Sequence, residues 1–229
     1  MNRKLFLKKQ INKFLKHGSS VLVFGGGQME KEIFNDDEYN ITFLNIDNTD
    51  LQGVKHNIII ASMHDNKIES NSFDYVLANA TIHHSSKPHN SVIEMYRIAK
   101  KGILIIEGND SLLMKISSKF GFSEIYEESA IENSQGGVDN SSIPNFIYRW
   151  TEREIYKLLN SYKPEIIHKI IFDYEFDLGN ICKKNNYKKK IIIFFLKLFF
   201  FIFKKQKNLM SVYVDKLNSK SRITQFSTK

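Results

Sequence analysis

The sequence predicts an α/β fold in which helices cover both faces of a mostly parallel sheet. Two observations support this prediction. Short, largely apolar runs at 21–24, 57–61 and 102–106 have the pattern of strands buried on both faces. Amphipathic segments with helical spacing, such as 91–100, alternate with these runs along the chain. Alternating strands and helices of this kind are typical of a parallel sheet.

The predicted elements follow one another with short connections. They are a helix over 7–15 that ends at His17-Gly18, strands at 21–24, 41–46, 57–61 and 75–78, helices at 28–34 and 91–100, a strand at 102–106, a helix that begins after Thr151, and strands at 166–172 and 209–214. Thr151 and Glu154 have the spacing of a capping box, which marks the start of that helix. Residues 127–150 are largely polar, contain Gly136-Gly137, and predict a long loop.

Length and composition predict a single globular domain over residues 1–229. Of these residues, 42% are hydrophobic and 25% are charged, which excludes collagen-like, disordered and disulfide-stapled classes. Cys182 is the one cysteine and cannot form an internal disulfide, so we expect a cytoplasmic protein. The N-terminal segment lacks a continuous apolar stretch, so no signal peptide is predicted.

Positive charge is concentrated toward the C-terminus. Residues 183–229 contain 13 Lys or Arg and one acid, Asp215, whereas residues 1–182 contain 20 basic and 24 acidic residues. A protein that binds nucleic acid more often carries its basic residues across a folded face. The placement of the charge on one segment therefore argues against a nucleic-acid partner.

A strand, three glycines and a helix form a pattern that is typical of nucleotide binding. Gly25, Gly26 and Gly27 let the backbone approach a ligand, and the following helix presents free N–H groups. Asp47 ends the next strand, 22 residues beyond Gly25, where a carboxylate can accept both ribose hydroxyl groups. The alternative is a structural turn followed by an exposed acid.

Two features restrict the kind of nucleotide. Glu30 stands where the dinucleotide fingerprint needs a small residue, and a carboxylate at that position would repel a pyrophosphate. The chain also lacks the Gly-Lys-Ser/Thr motif of phosphate-binding loops. A cofactor without phosphate groups fits better.

Three motifs in register resemble the class I S-adenosylmethionine-dependent methyltransferases, in particular their small-molecule, type 11-like branch. They are VLVFGGG at 21–27, NSFDYV at 71–76 and EMYRIAKKG at 94–102. The resemblance implies a Rossmann-like, doubly wound fold with a seven-stranded, mostly parallel sheet and an antiparallel last strand. It implies S-adenosyl-L-methionine as cofactor, and it divides the chain into a basic helix at 1–17, a cofactor-binding half at 18–107 and a substrate-side half at 108–229.

The resemblance also implies which residues hold the cofactor. They are Gly25 and Gly27 beside the methionine part, with Gly26 between them, Asp47 on the ribose, Ser62 and Met63 beside the adenine, and Asn79 near the transferable methyl group. Three residues depart from the family pattern. Val23 replaces an acid, Met29 replaces a glycine and Ser62 replaces an aspartate.

Two histidines are candidates for proton transfer. His83 and His84 follow the fourth strand, at the edge of the sheet where ligands bind, and imidazole titrates near neutral pH. Methyl transfer needs a base only if the acceptor must lose a proton, so a structural role is the alternative. Together with His89 these histidines match no strong zinc pattern, and no metal site is predicted.

Three further residues are candidates for contact with the substrate. Glu107 ends the fifth strand, and Tyr148 and Arg149 lie in a glycine- and aromatic-containing stretch that suits a mobile lid. The alternatives are that Glu107 caps the helix that begins near Asp110, that Trp150 packs in the core, and that Arg149 lies on the surface.

The stretch KKKIIIFFLKLFFFIFKKQK at 188–207 predicts a basic and hydrophobic helix. Its apolar part, 191–203, would rise only about 20 Å, which is short of the ~30 Å hydrocarbon core, so a transmembrane span is not expected. One alternative is a crossover helix that packs in the domain or closes over an apolar substrate. The other is contact with anionic lipid at the inner face of a membrane.

Methyl transfer to a small-molecule acceptor is the main functional hypothesis, with a metabolite or a sugar precursor of a surface polysaccharide as substrate. The alternative is a degenerate cofactor-binding domain without catalysis that acts through partner or membrane contacts, which the departures at Val23 and Met29 favour. A nucleic-acid methyltransferase is disfavoured because the chain has no Asn/Asp-Pro-Pro-aromatic motif.

Overall fold

The computed structural model describes residues 2–34, 38–47, 51–131, 135–177, 196 and 198–222. Within these ranges the chain forms one large sheet, a separate two-stranded sheet, and helices on both faces of the large sheet. The strands are β1 (Ser20–Phe24), β2 (Asn40–Asn45), β3 (Asn57–Ile60), β4 (Phe73–Asn79), β5 (Ala99–Gly108), β6 (Tyr126–Glu127), β7 (Asn145–Phe146), β8 (Ile166–Glu175) and β9 (Leu209–Ser221).

The large sheet has seven strands in the order β3-β2-β1-β4-β5-β9-β8. The first five strands of this order are parallel to their neighbours, and β9 is antiparallel to both β5 and β8. The predicted α/β fold, with a mostly parallel sheet and an antiparallel last strand, is confirmed. The strand order reverses between β1 and β4, and such a switch point opens a crevice at the carboxyl ends of the strands.

The helices lie close to their predicted positions. They are α1 (Arg3–Phe14), α2 (Gln28–Ile33), α3 (Pro88–Ile98), α4 (Leu112–Lys119) and α5 (Glu152–Tyr162). Asn2 caps α1 and Ser111 caps α4 through side-chain oxygens, and Thr151 opens α5 with the predicted capping box. The helix predicted at 91–100 begins three residues earlier, at Pro88, which suits the first turn of a helix.

The sheet is buried on both faces, as the unbroken apolar runs predict. Leu22 and Val76 point to one face, where they pack with residues of α3 and α5, including Met95. Val23 and Leu77 point to the other face, where α1 covers them. Val23 therefore occupies a fully buried core position, and a valine at this site contributes packing where an acid would need a buried partner.

Backbone hydrogen bonds of Trp150 connect the segment before α5 to the end of β5. Its backbone N–H donates to the carbonyl of Gly108 at 2.8 Å, and the N–H of Asp110 donates to the carbonyl of Trp150 at 2.9 Å. The indole is fully buried in the core. Trp150 is thus a packing residue, in line with the structural alternative for this position.

The predicted helix at 188–207 falls largely outside the described residues, since 188–195 and 197 are not among them. Residues 198–202 are helical, and a short 3-10 turn, Lys204–Gln206, leads into β9. In the part of the chain that the structure describes, no helix has the length and apolar character needed to cross a membrane.

Replacement of Thr151 by Ala should destabilise the protein by about 1 kcal/mol. The Thr151 hydroxyl accepts from the N–H of Glu154 at 3.1 Å, and the Glu154 carboxylate accepts from the N–H of Thr151 at 2.9 Å. Urea unfolding of the two proteins measures the difference. The control is Ser161→Ala at an exposed position in the last turn of the same helix, which should not lose stability. Equal losses in both variants would contradict the capping role.

Candidate active site

A cavity of about 290 Å³ lies at the carboxyl ends of β1, β2, β3 and β4. It is lined by the glycine turn, by the ends of the neighbouring strands and by part of the loop that follows β6. The lining residues are Gly25, Gly26, Gly27, Leu44, Asn45, Ile46, Asp47, Ala61, Ser62, Met63, Ala80, Thr81, His84, Ala130, Gly136, Gly137, Asp139 and Asn140. Seven of the predicted site residues are in this set: Gly25, Gly26, Gly27, Asp47, Ser62, Met63 and His84.

The glycine turn is packed so closely that side chains are excluded from two of its positions. Gly25 has a φ of +61°, and a Cβ there would lie 1.8 Å from Oγ1 of Thr81. A Cβ on Gly26 would lie 2.2 Å from the ring of Phe43. The turn thus brings bare backbone to the cavity wall, which is the property that close approach of a ligand requires.

Glu30 holds this turn in place from the first turn of α2. One carboxylate oxygen accepts from the N–H of Gly27 at 2.9 Å, and the other accepts from the side-chain amide of Asn79 at 2.7 Å. Asn79 also lies 3.7 Å from the sulfur of Met29, and it is not among the residues that line the cavity. The structure therefore places Asn79 as a support for the glycine turn through Glu30.

Asp47 lies on the cavity wall and is linked to the loop that crosses it. The side-chain amide of Asn140 donates to Oδ2 of Asp47. Asn140 and its neighbour Asp139 both have positive φ, at 61° and 48°, and this conformation folds the loop back over the cavity. Asn140 also accepts from the N–H of Gly136 at 2.9 Å, which closes the loop on itself.

Ser62 and Met63 form the wall beyond β3. The Ser62 hydroxyl lies 3.2 Å from Nδ1 of His64, and the same nitrogen lies 2.9 Å from the hydroxyl of Ser85. The sulfur of Met63 lies 3.8 Å from Oγ1 of Thr81, and the Thr81 side chain packs against Gly25 of the glycine turn. This side of the cavity combines an apolar thioether with hydroxyl groups.

Glu107 and His83 form a buried ion pair behind the cavity. Nδ1 of His83 lies 2.9 Å from one Glu107 oxygen, and the other oxygen accepts from the N–H groups of Thr81 and Ile82 at 2.9 and 2.7 Å. Nε2 of His83 lies 3.2 Å from Glu127. Because both Glu107 oxygens are engaged by groups of the protein, the carboxylate orients the turn after β4. This role differs from the predicted substrate contact and from the alternative of a helix cap.

These contacts raise the pKa of His83 and lower the pKa of Glu107. Burial alone would lower the pKa of His83, but the charges of Glu107 and Glu127 and the hydrogen bonds to them outweigh burial and raise the pKa to about 10. Burial alone would raise the pKa of Glu107, but His83 and the two backbone N–H groups hold that pKa below its usual value. At neutral pH the pair is therefore an imidazolium and a carboxylate.

His84 borders the cavity and has a different environment. The Asn145 side-chain amide donates to its Nδ1 at 2.6 Å, the carbonyl of Gly136 lies 3.2 Å from the same atom, and its Nε2 lies 3.4 Å from Glu127. Burial and the positive charge of His83 lower the pKa of His84 below its usual value. At neutral pH His84 is therefore an uncharged imidazole with Nδ1 as the acceptor.

One cluster of the described residues brings three ligand-type side chains together. His83, His84 and Glu127 each place a nitrogen or oxygen within 4.8 Å of the others. The third predicted histidine, His89, lies apart from them and packs edge-on against Tyr148 and Trp150. In the cluster, His83 already bridges Glu107 and Glu127, so an ion-paired proton accounts for the arrangement.

Tyr148 and Arg149 lie outside the cavity wall. The Tyr148 hydroxyl donates to Glu154 at 2.7 Å, and the Arg149 guanidinium donates to the Ser123 hydroxyl and the Glu124 carbonyl at 2.8 and 2.7 Å. Tyr148 thus ties this stretch to the first turn of α5, and Arg149 ties it to residues 123–124.

Sequence reasoning missed several polar residues at this site, among them Thr81, Glu127, Asp139 and Asn140. The last two lie in the glycine-containing stretch at 136–150, so the distinctive composition of that stretch was the available indication. Glu127 gave none, because its two histidine partners are more than 40 residues away in sequence.

Comparison with known proteins agrees with the geometry. Residues 24–106 match the family model described as a methyltransferase domain. Similar structures include an S-adenosylmethionine-dependent methyltransferase of Methanosarcina mazei (15% identity, 90% of this chain and 96% of that one, TM-score 0.57) and a protein from Haloferax volcanii solved with the Trm112 methyltransferase activator (11% identity, 91% and 88%, TM-score 0.57).

A third similar structure is phosphoethanolamine N-methyltransferase 2 of Haemonchus contortus with S-adenosyl-L-methionine bound. It shares 12% identity, with 93% of this chain covering 52% of that one and a TM-score of 0.54. At these identities the likeness concerns the fold. No curated protein matches the chain in sequence.

The buried ion pair predicts how stability depends on pH. Because the pKa of His83 is raised from 6.5 to about 10, its protonated form stabilises the fold. This stabilisation is complete below pH 6.5 and is lost as the pH rises toward 10, with a slope of up to about 1.4 kcal/mol per pH unit. Denaturant unfolding at a series of pH values measures the slope.

His83→Gln should lower stability at neutral pH by roughly 3 kcal/mol and remove most of that slope. The control is His17→Gln, at a histidine whose side chain is 66% exposed, which should keep the slope of the original protein. A slope that survives in His83→Gln would show that the ion pair is not its source.

Proposed function

We propose that the chain is a class I S-adenosylmethionine-dependent methyltransferase and that it methylates a small-molecule acceptor, either a metabolite or a sugar precursor of a surface polysaccharide. One observation carries this proposal. A single cavity is bordered by the glycine turn, by the carboxylate of Asp47 and by the uncharged imidazole of His84. The cavity is of a size that suits small ligands.

The residues present fit the cofactor, S-adenosyl-L-methionine. Its sulfonium supplies an already activated methyl group, so the main task of the protein is to align donor and acceptor. We assign the ribose hydroxyl groups to Asp47 and the methionine part to the backbone of Gly25 and Gly27. The adenine is assigned to the wall formed by Ser62 and Met63. The side-chain-free glycine turn and the carboxylate beside it support these assignments.

Asn79 has a supporting role in this scheme. Its amide is engaged by Glu30, which in turn holds the N–H of Gly27. The chain thus keeps the turn rigid before any ligand binds, which lowers the entropy cost of binding. Glu107 acts in the same way on the turn that carries His84, through the N–H groups of Thr81 and Ile82.

His84 is proposed to accept a proton from acceptors that must lose one. Asn145 donates to Nδ1, so this contact selects the tautomer in which the ring proton is on Nε2 and Nδ1 is the basic atom. A proton taken up at Nδ1 would replace the hydrogen bond from Asn145 and would be donated to the Gly136 carbonyl at 3.2 Å, while Nε2 faces Glu127 at 3.4 Å. Burial and the nearby charge of His83 keep the pKa of His84 low, which favours return of the proton to solvent.

The loop at 136–140 is proposed to be the cover of the site. It reaches across the cavity and contacts Asp47 through Asn140, the residue assigned to the ribose. A ribose that binds Asp47 therefore competes with Asn140 or joins it, and this couples ligand binding to the position of the loop. Exclusion of water from the transfer site would follow.

We propose that the enzyme works in the cytoplasm, at or near the inner face of the membrane. The single cysteine fits a reducing compartment, and the basic C-terminal segment fits an anionic surface. Small-molecule acceptors such as sugar precursors are compatible with a cytoplasmic enzyme and with one at the inner face of the membrane.

The proposed activity is tested by transfer of an isotope-labelled methyl group from S-adenosylmethionine into a small-molecule extract and into a set of nucleotide-linked sugars. Label in a small-molecule fraction, dependent on the protein, is the expected result. Label that appears only in nucleic acid or protein would contradict the proposed acceptor class. Cofactor binding without any transfer would favour the non-catalytic alternative.

Asp47→Ala should weaken binding of S-adenosylhomocysteine by about 1.5–3 kcal/mol, since two hydrogen bonds to a charged acceptor are lost. Isothermal titration calorimetry measures the dissociation constant. Asp65→Ala is the matched control, because Asp65 is an exposed aspartate that does not line the cavity. An unchanged dissociation constant in Asp47→Ala would refute the ribose assignment.

His84→Gln should reduce the turnover rate by at least about tenfold and leave cofactor affinity unchanged if His84 is the base. Because its pKa lies below the usual 6.5, the rate of the unmodified enzyme should be flat near neutral pH and fall only in acid, as His84 becomes protonated. Steady-state rates across pH measure both effects. His56→Gln, at a histidine outside the cavity, is the control. Full activity in His84→Gln would return this residue to a structural role.

A further inference from the structure

We infer that the protein has a face that binds anionic lipid bilayers from one side, as a peripheral membrane protein. This bilayer-binding face consists of α4, the turn that follows it and residues 198–205. Its exposed apolar side chains include Leu112, Ile116, Phe120, Phe122, Phe201 and Ile202. The inference does not depend on the proposed reaction, since it concerns only this surface.

The outer side of α4 is apolar where a surface helix is usually polar. Leu112, Ile116 and Phe120 follow one another at intervals of four residues, so they lie along one side of the helix. They are 64%, 46% and 67% exposed. Phe122, two residues further on, is 83% exposed. A row of large apolar side chains that are exposed to solvent indicates an interaction surface.

Residues 198–203 present a second apolar surface. Phe200 is buried, and its ring centroid lies 4.3 Å from that of Phe176, which fixes the segment to the body of the protein. The neighbouring Phe201 and Ile202 are 77% and 67% exposed. The segment is therefore anchored by one residue while its other large side chains face outward.

Specific hydrogen bonds hold the two parts of the face together. The Ser111 hydroxyl donates to the carbonyl of Gln206 at 3.1 Å, and the N–H of Leu113 donates to the Gln206 side chain at 3.0 Å. The Asn109 amide donates to the carbonyl of Lys205 at 2.9 Å. The start of α4 and the end of the second segment thus form one connected surface.

The charge of this region identifies an anionic bilayer as the partner. Residues 198–207, all of them described, contain Lys204, Lys205 and Lys207 and no aspartate or glutamate. The acids at the face are paired, Asp110 with Lys115 at 3.1 Å and Glu152 with Lys205 at 2.7 Å, and further exposed lysines such as Lys119 and Lys204 add positive charge. Two copies of this face would bring like charges together, which disfavours self-association, whereas anionic headgroups would neutralise them.

Sedimentation with lipid vesicles tests the inference on the full chain. Vesicles of phosphatidylcholine alone are compared with vesicles that contain roughly one third phosphatidylglycerol, at about 0.05 M and about 0.5 M salt. We expect binding to the anionic vesicles at low salt, and loss of most of it on neutral vesicles or at high salt. Protein that stays in the supernatant with anionic vesicles at low salt would overturn the inference.

Two pairs of substitutions locate the contact. Phe120→Ser with Phe122→Ser should weaken binding to anionic vesicles at least about tenfold. Lys119→Glu with Lys204→Glu should weaken it and reduce its dependence on salt. The controls are Leu217→Ser and Lys220→Glu, at exposed positions near the far end of β9, and both should bind as the unmodified chain does.

Circular dichroism and thermal unfolding show whether each variant is folded. If a Phe variant is unfolded, the Lys pair and the salt series on the unmodified chain still decide the question. Equal binding by the face variants and the controls would overturn the inference. So would a dimer of the unmodified chain, seen by light scattering, that the Phe pair dissociates while vesicle binding is absent.

Discussion

The buried carboxylate of Glu107 is the group on which the arrangement of the active site depends. It is the penultimate residue of β5 and receives three donors from the turn after β4, namely two backbone N–H groups and the imidazolium of His83. A buried charge is stable only when such donors surround it, and loss of one partner leaves an uncompensated charge. The pair thus fixes the turn that carries His84 relative to the neighbouring strand.

The same ion pair sets the chemistry of the residue beside it. Glu127, from the edge of the two-stranded sheet, completes the charge balance of His83 and also faces His84. One of the two adjacent histidines is therefore held charged, and its charge helps to keep the other neutral. Neighbouring residues of the same type acquire different roles because one of them is surrounded by carboxylates.

The fold could be predicted from the sequence to a large extent, and the site only in part. The apolar runs of β1, β2 and β4 are local features, so their positions and the parallel sheet followed from the pattern. The antiparallel last strand came from family resemblance, because local periodicity carries no strand direction. At the site, the glycine turn and Asp47 were recognisable since their spacing along the chain is itself the motif.

The remaining site contacts join residues that are distant in sequence. Asn140 meets Asp47 across 93 residues, and Glu107 meets His83 across 24. A carboxylate at the end of a strand has the same local sequence whether it points at a substrate or at a buried histidine. Only the tertiary structure separates these two cases. This explains why the Glu107 prediction named its position on the sheet edge and missed its partner.

The direction of β9 connects the cavity with the apolar surface around α4. Because β9 is antiparallel to β5, it begins where β5 ends, with Leu209 opposite Gly108. The segment that precedes β9 therefore arrives at the carboxyl edge of the sheet, where α4 also starts and where the cavity opens. Any surface that binds this segment lies on the same edge as the proposed site of methyl transfer. A bilayer bound there would place its headgroups beside the cavity, so the topology of the sheet would relate the proposed membrane contact to access of a substrate.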